Sequence, residues 1–388
     1  MPIIVGRQSL NSAAAPNPRR SNMRIPETTP VIVGVGEFVD RPQSPAAGLE
    51  PVALIENAVR SACADSGGDL LSRIESIELV GLITWRYENP VGLLCQRLGI
   101  APAHQINTSM GGETPIRLVH DAAIRIAKGE LSVAAIVGGE AMNSMNRARK
   151  ERAKLDWTPL ASKEDAVRFD ADFIEISPLS KTLGITDPLQ MYPLYEIAAE
   201  FAWGETPAQG RAASANLWAQ FARVAADNPS AWIRTAPNAD VIGTTNTDNR
   251  LIAWPYSKLM VANPSVNQGS AIIVTSLAAA RAAGVPEDRL IYVWGGAAAA
   301  EPANYLRRDR YDRSSAQAAA LQGAVELAGG DAKQFSKMEL YSCFPIVPKL
   351  ALRELGLDSA AHTPTVTGGL TFFGGPLNNY MSHATCAM

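Results

Sequence analysis

No run of about twenty apolar residues occurs in the 388-residue chain, which excludes a membrane-spanning helix of the usual length. Cysteine is scarce: Cys63, Cys95, Cys343 and Cys386 are the only four, and none stands in CxxC spacing with another. Neither a zinc site nor a disulfide framework is therefore indicated, and a reducing compartment, the cytoplasm first, fits best. Positive charge is not in excess, since 35 Lys and Arg face 38 Asp and Glu for a formal net charge of -3. That balance gives no support for a nucleic acid or another polyanion as partner. No GxGxxG follows a strand pattern, so no nicotinamide or flavin site is visible, and no metal site is either. Only 19% of residues are charged while 47% are hydrophobic, a mixture that excludes disorder or a fibre and suits helices packed on buried strands.

The length makes two domains the natural expectation. Residues 1–29 are rich in Ser, Ala, Pro and Arg, with no acid before Glu27. Such a stretch can be read as a transit peptide, which would place the protein in a mitochondrial or peroxisomal matrix. It fits better as a disordered extension ahead of a buried strand at 31–35.

An internal repeat is the most informative feature, because similarity at a long period reports architecture directly. In the first part a strand at 31–35 is followed by a helical pattern at 52–64 and a second strand at 77–82. In the second part a strand at 290–294 is followed by a helix at 318–328 and a strand at 338–343. Each second strand leads to a helix with a glycine stop, at Gly99 and at Gly356, and then through a histidine-containing loop, from His104 to Gly112 and from His362 to Gly369. Strands alternating with helices imply parallel pairing through crossovers, and the repeated order implies two similar α/β halves. The equivalent positions of His104 and His362 suggest structural roles, and His120 falls on an amphipathic helix at 115–128 as a packing residue.

Residues 143–263 are too many for a simple connection and should form an inserted excursion with helices of its own, such as 214–227 before Asn228-Pro229. Insertions of this kind often carry a substrate-binding surface. The basic run at 147–154 has alternating charges and reads as a solvated helix face. The organisation is thus an extension at 1–29, a first half at 30–142, an inserted loop domain at 143–263, and a second half at 264–388.

Local motifs carry a resemblance. Asn107-Thr108-Ser109-Met110-Gly111-Gly112-Glu113-Thr114-Pro115 is similar to the segment in which thiolases place a nucleophilic cysteine at the start of a helix. Gly138-Gly139-Glu140-Ala141 and Asn267-Gln268-Gly269-Ser270-Ala271 resemble two further thiolase segments. Tyr341-Ser342-Cys343-Phe344 stands where thiolases carry Asn-Glu-Ala-Phe or His-Asp-Cys-Phe, and Gly374-Gly375-Pro376 stands at their Gly-His-Pro. The run Thr367 to Pro376, with Asn378, Asn379, Tyr380 and His383, resembles the type 1 thiolase-like proteins. The resemblance implies a thiolase fold: duplicated mixed-sheet halves in αβαβα layers with an inserted loop domain. Type 1 members usually continue into a further C-terminal domain. This sequence stops at Met388, inside what should be the third helix of the second half, so that half is expected to be incomplete or completed in another way.

The resemblance also implies a chemistry and shows where it is altered. Ser109 occupies the position of the nucleophilic cysteine, Gly375 that of the activating histidine, and Tyr341 that of the oxyanion-hole Asn or His. A serine hydroxyl is a poor nucleophile without an adjacent base, and His383 is the candidate base nearest by motif. Cys343 reads either as a reactive thiol or, preferably, as a small core residue, and Cys386 lies at a frayed end. Gly111, Gly112, Gly375, Asn378, Asn379 and Tyr380 are the expected substrate-binding set, with Asn378 or amides near Gly375 as oxyanion donors. Coenzyme A thioesters are the implied substrate or ligand, with no tightly bound cofactor. A homodimer through residues 104–108 would follow the family habit. Three functions remain open: an acyl-coenzyme A acyltransferase of altered mechanism, a noncatalytic acyl-coenzyme A binder, or a retro-aldol carbon–carbon lyase using Tyr341 and Tyr380 as proton carriers.

Overall fold

The computed structural model describes residues 3–6, 25–171 and 174–388. Within the extension expected at 1–29, β1 (Ile3–Gly6) is a strand, while residues 1–2 and 7–24 lie outside the described residues. β2 (Pro30–Val39) leads into α1 (Pro51–Ser66), which ends at Gly67 in the left-handed conformation that glycine tolerates. Then come β3 (Ser76–Leu79), α2 (Pro90–Leu98), β4 (His104–Asn107), α3 (Thr114–Ala127) and β5 (Val133–Ala141). The start of α2 is written locally: Pro90 pre-sets the first turn and the Asn89 side chain accepts from the Gly92 N–H.

The middle of the chain is mainly helical, with α4 (Met142–Glu151), α5 (Pro178–Leu183), α6 (Pro188–Trp203), α7 (Pro207–Asp227) and α8 (Ala239–Gly243). A small ribbon of β6 (Leu251–Ala253) and β7 (Tyr256–Ser257) follows. The long helix expected before Asn228 is α7, opened by a reciprocal cap between Thr206 and Gln209. The basic run lies on α4: Arg147 bonds the carbonyls of Pro42 and Gln43, and Arg149 and Lys150 are exposed. The chain then forms β8 (Asn267–Ser276), α9 (Leu277–Ala282), β9 (Ile291–Gly296), α10 (Ser315–Leu327), α11 (Ile346–Glu354), α12 (Gly369–Phe372) and α13 (Tyr380–Ala387).

One seven-stranded mixed sheet runs in the order β1-β9-β2-β8-β5-β3-β4. Parallel pairing holds only within the β3-α2-β4-α3-β5 run, between β3 and its neighbours β4 and β5. β8 arrives through the helical excursion rather than a crossover, and it runs antiparallel to both β2 and β5. β5 and β8 are buried along their whole length, as strands covered on both faces must be. On one face α1 lies so close that a side chain at Gly36 would collide with the Ala58 carbonyl. On the other face, Val119 and Ile126 of α3 pack on Ile32, Ile136 and Ile272.

A third core joins α7, α11, α12 and α13. Trp218 is fully buried there, stacked on Phe221 with ring centroids 5.1 Å apart, and its Nε1–H donates to Thr371 Oγ1 at 2.9 Å. Burial of such a side chain contributes about 3 kcal/mol.

The strand expected at 338–343 does not form. Its alternation is strand-like, but no neighbouring strand lies beside it: the Leu340 N–H goes to the Pro364 carbonyl, and the Cys343 carbonyl accepts from the Ala262 N–H. The strand expected at 77–82 is also shorter, because the ladder ends at Leu79 where the chain turns toward Glu140.

Candidate functional site

Two loops meet beside α3. One joins β4 to α3 and carries Ser109 to Glu113; the other joins α12 to α13 and carries Gly374 to Asn379. Asn378 fastens them, its Oδ1 accepting from the Gly111 N–H at 3.1 Å while its Nδ2 donates to the Gly81 carbonyl at 2.9 Å. The Gly375 N–H donates to the Asn263 carbonyl at 2.8 Å. Both expected oxyanion donors thus already hold loops together. Gly112 lies against Tyr341, and a Cβ there would sit 2.6 Å from the phenol oxygen.

These loops form one end of a cavity of about 1170 Å³. Gly112, Glu113, Tyr341, Gly375 and Asn378 line that end, while the body is apolar, with Ala320, Leu321 and Ala324 of α10, Ala351 and Leu355 of α11, and Leu370 of α12. Burial first, then the neighbouring Cys343 and Glu113, pushes the Tyr341 phenol well above its ordinary range, so it remains a proton donor at neutral pH. Its hydroxyl has no hydrogen-bond partner among the described residues. Cys343 is also on the wall, but burial pushes its thiol up to about 12. That disfavours the thiolate a nucleophile needs.

The other expected residues are not on the cavity wall. Ser109 precedes the first residue of α3, Thr114, by a loop rather than standing at the helix terminus, and its Oγ accepts from Arg117 Nη2 at 2.9 Å. No base lies on it. His383 is fully buried on the sheet side of α13, its Nδ1 2.7 Å from Glu37 Oε1 and its ring beside Phe373. A Ser109–His383 pair is therefore not assembled. Gly111 contributes its backbone to the Asn378 clamp. Asn379 is buried with its Nδ2 donating to Ser270 Oγ at 2.8 Å, and Tyr380 is buried with its hydroxyl 2.7 Å from Glu339 Oε1 and 2.6 Å from Thr367 Oγ1. Both are core residues, not ligand contacts.

Cys386, which had no assigned place in the sequence, packs in α13 with its thiol near the carbonyls of Gly36 and Ala271. His104 is exposed, His362 is half-buried, and His120 is half-buried on α3.

Three carboxylates of the site escaped the sequence reading. Glu140, noted only as part of a fold motif, accepts from the Ile83 and Thr84 N–H groups at 2.8 Å each and from the Thr84 hydroxyl. It fixes the turn whose Ile83 lines the cavity, and burial pushes its carboxyl up to about 7. Glu339 accepts from Tyr380, Thr365 and the N–H groups of Val366 and Thr367, so it organises the turn before α12. Glu113 lies on the wall itself. Its signal was adjacency to the double glycine, which sequence alone does not convert into a direction.

Among the described residues no cluster of three or more His, Cys, Asp or Glu forms a metal site, and no helix is long and apolar enough to cross a membrane.

A mixed α/β sheet covered by helices, with two glycine-rich loops clamped over α3, defines a thiolase-like fold. A crystal structure of a monomeric SCP2-thiolase-like protein type 1 from Mycobacterium smegmatis is 30% identical over 94% of this chain and 71% of that one, with a TM-score of 0.78. The chain belongs to the thiolase superfamily, and its likeness there is to the type 1 SCP2-thiolase-like group. An Ltp2-ChsH2(DUF35) aldolase matches at 17% identity over 91% of this chain and 88% of that one, TM-score 0.65. Human mitochondrial 3-ketoacyl-CoA thiolase in complex with CoA matches at 15% over 92% and 90%, TM-score 0.63. These two show the fold alone. No protein-family model matches the chain, and no curated protein does.

Proposed function

We propose that the chain binds an acyl-coenzyme A thioester at this cavity and holds it without forming an acyl-enzyme. The observation that carries the reading is Tyr341: its hydroxyl lies against Gly112 on the wall of an apolar cavity, protonated and without a partner among the described residues. A phenol so placed donates to the thioester carbonyl, and the apolar body accommodates the acyl chain. Ser109, whose hydroxyl accepts from Arg117 and makes no hydrogen bond to a base among the described residues, supports the absence of a covalent step. The human relative described as a CoA complex supports the choice of ligand.

On this reading residues 30–142 and 264–388 are the two halves of a duplicated, layered thiolase scaffold, and 143–263 is the inserted loop domain. The order β2-α1-β3-α2 against β9-α10-α11 supports that division in part, with β8 and β9 both joined to the sheet of the first half. A homodimer would use β4, which has a ladder neighbour on one side only. Four free cysteines suit the cytoplasm or another reducing matrix.

A carbon–carbon lyase is the second reading, favoured by the same protonated Tyr341, since an acid on the carbonyl stabilises the enolate that such cleavage releases. Acyl transfer through Ser109 has no structural support in the site. Calorimetric titration with acetyl-, acetoacetyl- and long-chain acyl-coenzyme A, followed by intact mass, tests the proposal. Binding without a mass increment is expected. An increment mapped to Ser109 would establish acyl transfer instead, and release of an aldehyde or ketone from an added 3-hydroxyacyl-coenzyme A would establish the lyase.

A further inference from the structure

Glu113 and Tyr341 stand on the same end of the cavity and neither side chain is satisfied by the protein. The Glu113 carboxylate oxygens lie 2.9 and 3.0 Å from where a Cβ of Gly111 would be, and the Tyr341 oxygen lies 2.6 Å from where a Cβ of Gly112 would be. Both line the cavity. Two successive glycines thus give the two groups room to lie beside one stretch of backbone, whose consecutive Cα atoms are about 3.8 Å apart.

The nearest cation on the same helix does not neutralise the acid. Arg117, one turn along α3, directs its guanidinium to Ser109 Oγ. Glu113 makes no hydrogen bond or ion pair among the described residues, although it immediately precedes α3, where the helix N-terminus favours an anion. An ionised carboxylate is an acceptor only, whereas the phenol is free to donate. The pair is therefore complementary to a ligand that presents a carbonyl to one group and a hydroxyl hydrogen to the other, a short distance apart.

Resting on the acyl-coenzyme A reading above, we infer that Glu113 is a specificity-determining residue that accepts the hydroxyl of a 3-hydroxyacyl thioester whose carbonyl is held by Tyr341. A 3-oxo group would bring a second acceptor against the carboxylate, and an unsubstituted chain would leave it without a donor. Both are disfavoured, because a ligand seated in the cavity shuts water from the half-buried Glu113 carboxylate and would then leave it without a donor.

Calorimetry with three four-carbon ligands, 3-hydroxybutyryl-, acetoacetyl- and butyryl-coenzyme A, tests this on the wild-type chain and on Glu113→Gln, Glu113→Ala and Tyr341→Phe, each checked for folding by circular dichroism. Wild type should bind the hydroxy ligand about tenfold more tightly than either other ligand. Glu113→Ala should abolish that preference and Glu113→Gln should reduce it, while Tyr341→Phe should weaken all three ligands alike. Equal wild-type affinity for the three, or an undiminished preference in Glu113→Ala, overturns the role of Glu113 and leaves the thioester reading standing. Failure of all three to bind folded wild-type protein overturns the thioester reading, and this inference with it.

Discussion

Asn378 holds Gly111 with its carbonyl and Gly81 with its amide, so that one side chain joins the loop before α3 to the turn after β3. Because the amide uses both ends, neither partner loop is held independently of the other.

Replacing Asn378 with Ala should leave a backbone donor and an acceptor unpaired and cost about 1–3 kcal/mol of stability. Asn378→Asp should fall between, keeping the bond from the Gly111 N–H and losing the one to the Gly81 carbonyl. Denaturant unfolding measures the order of the three proteins, and calorimetry should show thioester affinity falling in the same order.

Stability should fall as pH rises from about 5 to 8. Glu140 has its carboxyl raised to about 7 by burial. Its contribution is complete below the unfolded value near 4.5 and is lost as pH rises through 7, on the order of 3 kcal/mol in all. Glu200 is likewise raised to about 7, by burial and by Glu196, and adds in the same direction. Unfolding free energies of wild type and Glu140→Gln at pH 5 and pH 8 isolate the first share: the variant should show the smaller drop.

Ser109→Ala and His383→Ala should separate from each other. Loss of the Ser109 hydroxyl removes one partner of Arg117 and should change stability by less than about 1 kcal/mol, with thioester binding unchanged. His383→Ala empties a fully buried site and strips Glu37 of its partner, costing about 2–4 kcal/mol. A parallel loss of function in both, at unchanged stability, would restore the catalytic pair that the geometry denies.

Gly112→Ala tests the cavity wall. The added methyl would meet the Tyr341 ring, which must shift into the cavity. Affinity for acyl-coenzyme A should drop about tenfold or more while the melting temperature changes little.

Much of the architecture was legible because it is locally encoded. Capped helices such as α2 and α7 and the near-continuous apolar run of β5 announce themselves through periodicity and turn residues. The segment 338–343 has the alternation of a strand, yet strand formation needs a neighbour, and its backbone bonds go to loops instead. The site was half legible for a related reason. Gly112, Tyr341, Gly375 and Asn378 line the cavity, whereas Tyr380 and His383 do not. On α13 the cavity face is Met381, Ala384, Thr385 and Met388, spaced at helical intervals, which turns His383 to the opposite side and leaves Tyr380 at the edge of the face, its hydroxyl held by Glu339 and Thr367. Motif membership placed those two near the site in sequence; the rotation of a single helix takes them away from it.

The position of β8 between β2 and β5 has a temporal meaning. A ribosome delivers β2, α1, β3, β4 and β5 long before β8, and β2 and β5 cannot occupy adjacent places without closing the gap that β8 must enter. The nascent first half must therefore wait, its central edges unpaired, until the excursion and residues 267–276 have emerged.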